Sequence, residues 1–110
     1  MSIEQTDVVD AIGVEKLSGV VVLTISDHLD WGAEIEKLHF SLLQKKLNTY
    51  LAFVESEEIL SVYPDAIGRQ IEFSVIGKFP LSDPAKDFYS QASIVVKKAG
   101  FKLVFQLLQV

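Results

Sequence analysis

The sequence contains no cysteine, and several other marks of common protein classes are missing as well. Without cysteine the chain has no disulfide, no thiolate nucleophile and no cysteine-ligated zinc site. Its longest apolar run, Tyr50–Val54, is far shorter than the roughly 20 residues that span a bilayer. The opening segment, Met1–Asp7, is acidic and lacks the basic start and apolar core of a signal peptide. We therefore expect a cytoplasmic protein without a membrane-spanning helix.

Basic residues are also scarce, since the chain holds 10 of them against 15 acidic residues, for a net charge of −5. Nucleic-acid binders normally carry the opposite sign, because neutralising phosphates drives their affinity. The six glycines are scattered, so the sequence has no glycine-rich phosphate loop. We expect neither nucleic acid as a partner nor a bound cofactor. The acids concentrate in residues 1–36 and the bases in residues 86–110, which indicates solvated polar faces or, alternatively, electrostatic steering of a partner.

The length of 110 residues predicts a single domain over residues 1–110. Apolar residues make up 49% of the chain and the mean hydropathy is +0.30, which is high for a small domain. One core of this size has little room for so many apolar side chains. The surplus is expected on the surface, where it would form a contact patch.

Hydrophobic periodicity predicts an α+β domain with the element order β-β-α-(β)-β-α-β. An antiparallel hairpin comes first, with Gly19 in its loop. A long amphipathic helix begins near Asp30 and reaches Val54. A second helix begins with Asp83 as its cap and Pro84 at its first position. It ends at Gly100 with Lys97 and Lys98 in its last turn, and its predicted buried row is Ala85, Phe88, Ala92, Val95 and Ala99. The predicted strands are Val8–Val14, Val20–Ile25, Gln70–Lys78 and Phe101–Leu108.

Both helices are expected to cover one face of a mixed sheet of four or five strands, as a two-layer sandwich. The segment Ile59–Tyr63 is ambiguous. If it is a strand, the chain after residue 19 reads β-α-β-β-α-β, as in ferredoxin-like folds. That fold occupies both sides of the strand Val20–Ile25, so Val8–Val14 could not pair with it as well. The sequence leaves this conflict open.

A histidine–carboxylate grouping lies where the strand Val20–Ile25 leads into the long helix. It consists of Asp27, His28 and Asp30, with His39 on the helix as a second imidazole. Turn and cap roles for Asp27 and Asp30 are the favoured interpretation. A metal site or general acid–base chemistry is the alternative, but no nucleophile or oxyanion loop accompanies the group. We predict neither catalytic residues nor metal ligands.

Two further sets of residues are candidates for contact with a partner or ligand. Trp31, the sole tryptophan, is interpreted as packing at the helix entry, with an exposed hot-spot anchor as the alternative. Tyr63, Asp65 and Arg69 frame a Pro-Gly turn. The favoured reading is a turn stabilised by Asp65, and the alternative is that Arg69 holds a carboxylate or phosphate.

Three segments resemble a group of small bacterial proteins of unknown function. They are Val21–Trp31, Leu47–Ser56 and Tyr63–Ala66, so the likeness covers most of the chain. The resemblance implies a bacterial, cytosolic protein and brings no activity or catalytic residue with it.

Three hypotheses for function follow. The first is a non-catalytic interaction domain that forms a homodimer, based on the apolar surplus of the helix Ile35–Val54. The second is an inhibitor or immunity protein that binds another bacterial protein through an acidic face containing Asp27, Asp30, Glu34 and Glu36. The third is a small-ligand or catalytic pocket at the junction Asp27–Trp31. An enzyme is the less favoured class.

Overall fold

In the computed structural model, which describes residues 3–108, the chain folds as one four-stranded mixed sheet with helices packed on it. The strands are β1 (Ala11–Val14), β2 (Val21–Asp27), β3 (Ile71–Gly77) and β4 (Lys102–Leu107), and they lie in the order β1-β2-β3-β4. The first pair is antiparallel, and β2, β3 and β4 are parallel to one another. The α+β class and the mixed sheet of four strands are therefore confirmed.

Both long helices lie on the same face of the sheet. Helix α1 (Glu36–Glu55) connects β2 to β3, and α3 (Asp83–Lys98) connects β3 to β4. Right-handed crossovers that advance in one direction along a sheet place their helices on one side of it. Ring contacts show this side: Tyr50 of α1 lies 5.9 Å from Phe73, and Tyr89 of α3 lies 5.4 Å from Phe105. The two-layer sandwich is confirmed.

The hydrophobic core lies between the helices and this face of the sheet. Along β2, buried residues alternate with more exposed ones, so Val21, Leu23 and Ile25 point at the helices. Their register partners on β3 point the same way. The helices add the remaining core side chains, which include Leu43, Leu47, Tyr50, Phe53, Val54, Ala85, Tyr89 and Val96.

The segment Ile59–Tyr63 is helical over most of its length, as part of the short helix α2 (Glu58–Val62). The optional strand in the predicted order is therefore absent. Its absence leaves one side of β2 free for β1, which removes the topological conflict. The ferredoxin-like alternative needed a strand in this segment and receives no support from the observed sheet.

Helix α1 begins later than the sequence predicted. Asp30 does not cap it, because its carboxylate accepts a hydrogen bond of 2.8 Å from the backbone N–H of Gly32 in a turn before the helix. The first residue of α1 is Glu36. Its other end lies one residue beyond the predicted Val54, because Glu55 is the last residue of the helix. Ser56 follows as the C-cap, and Glu57 takes a positive φ of 65°, which directs the chain into α2.

Helix α3 is capped by Ser82, whose hydroxyl accepts from the N–H of Ala85 at 3.2 Å, rather than by Asp83. At its other end, Gly100 takes a φ of 100°. Its N–H donates to the carbonyl of Lys97, and that of Phe101 donates to Val96, which is a Schellman motif. The predicted end of this helix is confirmed.

Residues 3–10 form an N-terminal strap that lies along α1 before the chain enters β1. Ile3 is fully buried and its N–H donates to the carbonyl of Ser26. Lys46, also fully buried, donates from Nζ to the carbonyls of Gln5 and Val8 at 2.6 and 2.7 Å. Its third donor meets Oδ1 of Asp10 at 2.8 Å. All three protons of a buried ammonium group are therefore satisfied by the strap.

Tyr50 continues this network into the sheet. Its hydroxyl donates to the carbonyl of Thr24 on β2 at 2.6 Å and accepts from the N–H of Asp10 at 2.9 Å. The strap, α1 and β2 thus meet at one side chain. Burial, together with the charge of Asp10, raises the pKa of Tyr50 to about 12.

We predict that Lys46→Met lowers the free energy of unfolding by about 3–5 kcal/mol, because Asp10 is left as an unpaired buried charge. Chemical denaturation measures this. Lys45→Met is the matched control, since Lys45 is the exposed neighbour on α1 and its loss should change stability by no more than about 0.5 kcal/mol. Equal effects of the two substitutions would contradict the importance of the ion pair.

We also predict that stability falls between pH 10 and pH 12. The unfolded chain releases the proton of Tyr50 near pH 10, whereas the folded chain keeps it up to about pH 12. The contribution is complete below pH 10 and is lost as the pH rises through the folded value. Denaturation curves across this range should show the loss, and Tyr50→Phe should reduce its slope. If Tyr50→Phe leaves the pH dependence of stability unchanged, the loss of stability comes from other groups.

Candidate functional site at the carboxyl edge of the sheet

The parallel strands β2, β3 and β4 end at the same edge of the sheet, where open α/β sheets commonly place their ligands. Asp27 is the last residue of β2 and lies in register with Gly77, the last residue of β3. A side chain at Gly77 would meet the ring of Phe105, since a Cβ there would lie 2.5 Å from it. The glycine therefore lets Phe105 pack under this edge.

Asp27 and His39 form a buried pair at this edge. Nε2 of His39 lies 2.6 Å from Oδ2 of Asp27, and the two side chains are 0% and 2% exposed. The other carboxylate oxygen, Oδ1, accepts from the N–H of Leu29 at 3.1 Å. The other ring nitrogen, Nδ1, lies 2.8 Å from the carbonyl oxygen of Asp30. Every hydrogen-bonding atom of both side chains is thus engaged.

The partners of His39 define where its protons lie. A carbonyl oxygen can only accept, so Nδ1 must carry a proton. Nε2 faces a carboxylate, and one proton must lie between them. The pair is therefore an imidazolium beside a carboxylate, or a neutral imidazole beside a protonated carboxyl, and it has no net charge in either form. A pair of this kind can remain buried where a single charge could not.

Trp31 covers the imidazole. Its ring stacks on that of His39 with the centroids 3.5 Å apart and the planes 16° from parallel. It also contacts Phe40 at 5.1 Å, and is itself only 9% exposed. The packing role of Trp31 is the one that the geometry favours, because an anchor for a partner would need an exposed ring.

Tyr89 brings a third polar group close to the pair. It is 7% exposed, and its hydroxyl has no hydrogen-bond partner among residues 3–108. Burial raises the pKa of Tyr89 strongly, and the carboxylate of Asp27 raises it further. The hydroxyl is therefore neutral throughout the ordinary pH range, and can take part only as a donor or acceptor of hydrogen bonds.

The remaining candidates of the strand–helix junction are exposed. Nε2 of His28 pairs with Glu4 of the strap at 2.8 Å, with both side chains more than half exposed. Asp30 is exposed and engages its own turn. Asp27 is buried, so the acidic face proposed for an inhibitor contains only three of its four predicted acids.

Tyr63, Asp65 and Arg69 lie at the opposite end of the sheet, beside the start of β3. Strands of seven residues separate the two groups by about 20 Å. Arg69 donates from Nε to the backbone carbonyl of Asp65 at 2.8 Å and from Nη1 to that of Gly19 at 3.1 Å. Arg69 thus fastens the β1–β2 loop to the turn after α2 through two backbone carbonyls.

Two buried polar residues that shape this site and the strap were not predicted from the sequence. Tyr89 was not singled out, because a tyrosine in an amphipathic helix has no local pattern that marks it as polar and buried. Lys46 was not singled out either, because a lysine on an amphipathic helix has no local pattern that marks it as buried. One signal was available for it: Lys46 lies seven residues after His39, so both occupy the side of α1 that also carries Leu43 and Tyr50.

Burial limits the chemistry that the residues at this edge of the sheet can perform. Asp27 and His39 could in principle exchange a proton, but neither is accessible to a substrate in this conformation. Across residues 3–108 no group of three or more His, Cys, Asp or Glu side chains is arranged to hold a metal ion. In the same part of the chain, no helix has the length and apolar character needed to cross a membrane.

The fold and this edge define a small α+β domain with a closed polar cluster under a tryptophan. The chain belongs to a family of unknown function, DUF6572, whose model matches residues 1–109. The resemblance to proteins of unknown function is thereby confirmed. Neither the curated proteins nor the solved structures contain a match to the chain.

We predict that His39→Leu lowers the free energy of unfolding by about 3–5 kcal/mol, because it leaves the buried carboxylate of Asp27 unpaired. The emission of Trp31 should rise as well, since the stacked imidazole that quenches it is gone. Thermal and chemical unfolding with fluorescence detection give both readouts. His28→Leu, at the exposed second histidine, should change stability by no more than about 0.5 kcal/mol. A His39 variant as stable as the His28 variant would refute the pairing.

Proposed function

We propose that the chain is a non-catalytic protein-interaction domain that binds through the open face of its sheet, the face turned away from the helices. The observation that carries this proposal is that α1 and α3 cover one face of the three parallel strands, whereas Val22, Ile76 and Val104 on the other face lie outside the hydrophobic core. Parallel sheets are almost always covered on both faces. No element among residues 3–108 packs on the second face, so a partner is the natural cover.

The open face is almost free of charge. Alternation along the strands assigns eleven residues to it, and only Glu72 and Lys102 among them are charged. The uncharged members are Ala11, Gly13, Val22, Thr24, Ser26, Ser74, Ile76, Val104 and Gln106. The depletion of charge from the centre of a surface is the compositional mark of an interface. A face meant for water would carry charged side chains on every strand.

The helices offer a weaker surface than the sequence suggested. Most apolar side chains of α1 are used in the core, and Leu38, at 57% exposure, is the main one left outside. Between α1 and α3 a groove of about 210 Å³ remains, with Leu47, Leu51 and Phe88 in its lining. Val95, expected in the core, is 58% exposed at this groove. The groove holds a few side chains at most.

The closed state of the Asp27–His39 pair supports an interaction role over a catalytic one. An active site needs its acid, base or nucleophile within reach of the substrate. Here the groups with that chemistry satisfy one another beneath Trp31.

We predict that tagged protein captures its partner from native lysate and that Thr24→Arg abolishes the capture. Thr24 lies at the middle of the open face on β2, so an arginine there would be buried by any partner. Mass spectrometry and band intensity report the stoichiometry. The matched control is Ile94→Arg on α3, at a side chain that is 56% exposed and outside the face. Capture that survives Thr24→Arg, or the recovery of no chain at all, would contradict the proposal.

A further inference from the structure

We propose that the partner on the open face is a second copy of this chain, packed sheet to sheet in a two-fold dimer. This rests on the proposed function, and it names the occupant of the surface described above. Register, charge and area on this face each bear on that choice.

The open face is built in rows that run across the strands. The register places Ala11, Thr24, Ser74 and Val104 side by side, so all four strands contribute to a central row. These side chains are small, and Ser74 is only 5% exposed among its neighbours. A row of small side chains makes the middle of the face flat. Flat sheet faces can approach to the usual spacing of about 10 Å and exclude water between them.

The two charged residues of the face lie at one end of it. Glu72 and Lys102 are register partners, in the row that precedes the central row along the parallel strands. The row at the opposite end consists of Ser26, Ile76 and Gln106, which carry no charge. The face is therefore neutral in sum, although the chain as a whole carries −5. Copies that repel one another elsewhere can meet here without net repulsion.

A two-fold axis perpendicular to the strands makes this face complementary to itself. It lays the central row of one copy on the central row of the other, so the small side chains pack together. It also turns the charged row of each copy towards the Ser26–Gln106 end of its partner. Glu72 then lies at the rim opposite Ile76 of the second copy and Lys102 lies opposite its Gln106, so like charges do not face one another.

The area of the face suits a dimer of modest affinity. Four strands about 4.8 Å apart, with a rise of about 3.3 Å per residue, project to about 400 Å². Side-chain relief increases the accessible area beyond this projection. Two such faces together project to about 800 Å², which is below the roughly 1,200 Å² at which standard specific interfaces begin and is the size of a weak contact. The groove between α1 and α3, by contrast, offers room for only a few side chains.

Sedimentation velocity of the purified full chain at rising micromolar concentrations tests this proposal. We expect the wild type to reach a dimer, and Thr24→Arg to raise its dissociation constant at least about a hundredfold, because two arginines meet near the axis. Thr24→Glu should do the same. An equimolar mixture of the two variants should regain the dimer, since opposite charges now face one another. Circular dichroism checks that each variant is folded, and Val104→Arg with Val104→Glu replaces the pair if they are not.

Two substitutions on the helices serve as controls. Ile94→Arg should leave the dimer intact, and so should Val95→Arg at the neighbouring groove residue of similar exposure. A wild type that stays monomeric throughout would overturn the two-fold dimer, as would a dimer lost with Val95→Arg but kept with Thr24→Arg. If the purified chain stays monomeric but still captures a different protein through Thr24, the dimer is wrong and the proposed function stands. If neither the dimer nor the capture is found, the proposed function is wrong as well.

Discussion

The ammonium group of Lys46 is the constraint around which this domain is arranged. A lysine taken fully out of water is strongly unfavourable unless every proton finds an acceptor. Here the acceptors are two backbone carbonyls and one carboxylate, all from the N-terminal strap. The strap must therefore lie along α1 for the charge to be tolerated. Tyr50 then carries the same network to β2.

Helix α1 holds two such buried pairs, at His39 and at Lys46. The two side chains are seven residues apart, which places them two turns apart on one side of the helix. Hydrophobic contacts alone would allow a helix to slide or rotate with only a modest loss of stability. Two buried polar pairs at separate points allow one axial position and one rotation, because any other leaves a buried polar group without its partner. Their contribution is best understood as specificity of packing, and its result is the closed edge under Trp31.

Local sequence signals predicted the elements that have strong local causes. The alternation of β3, the hairpin around Gly19, and the lysines and Gly100 that end α3 all act within a few residues, and all were found. The predictions failed where contacts between residues far apart in the sequence determine the local structure. The helix Glu58–Val62 depends on the packing of Ile59 in the core, since five residues have little helical preference of their own. The burial of Lys46 depends on a strap some 36 to 41 residues earlier in the chain, which no local pattern reveals.

The order of the strands has a consequence for how the chain reaches this state. Each strand pairs with the one that precedes it in sequence, so the sheet can grow by addition at one edge. The hairpin β1–β2 closes a short loop, whereas the two parallel pairs form only after the crossovers through α1 and α3. The strap is the exception, because its contacts wait for a helix formed much later in synthesis. The strap is therefore synthesised before the helix that holds it in place.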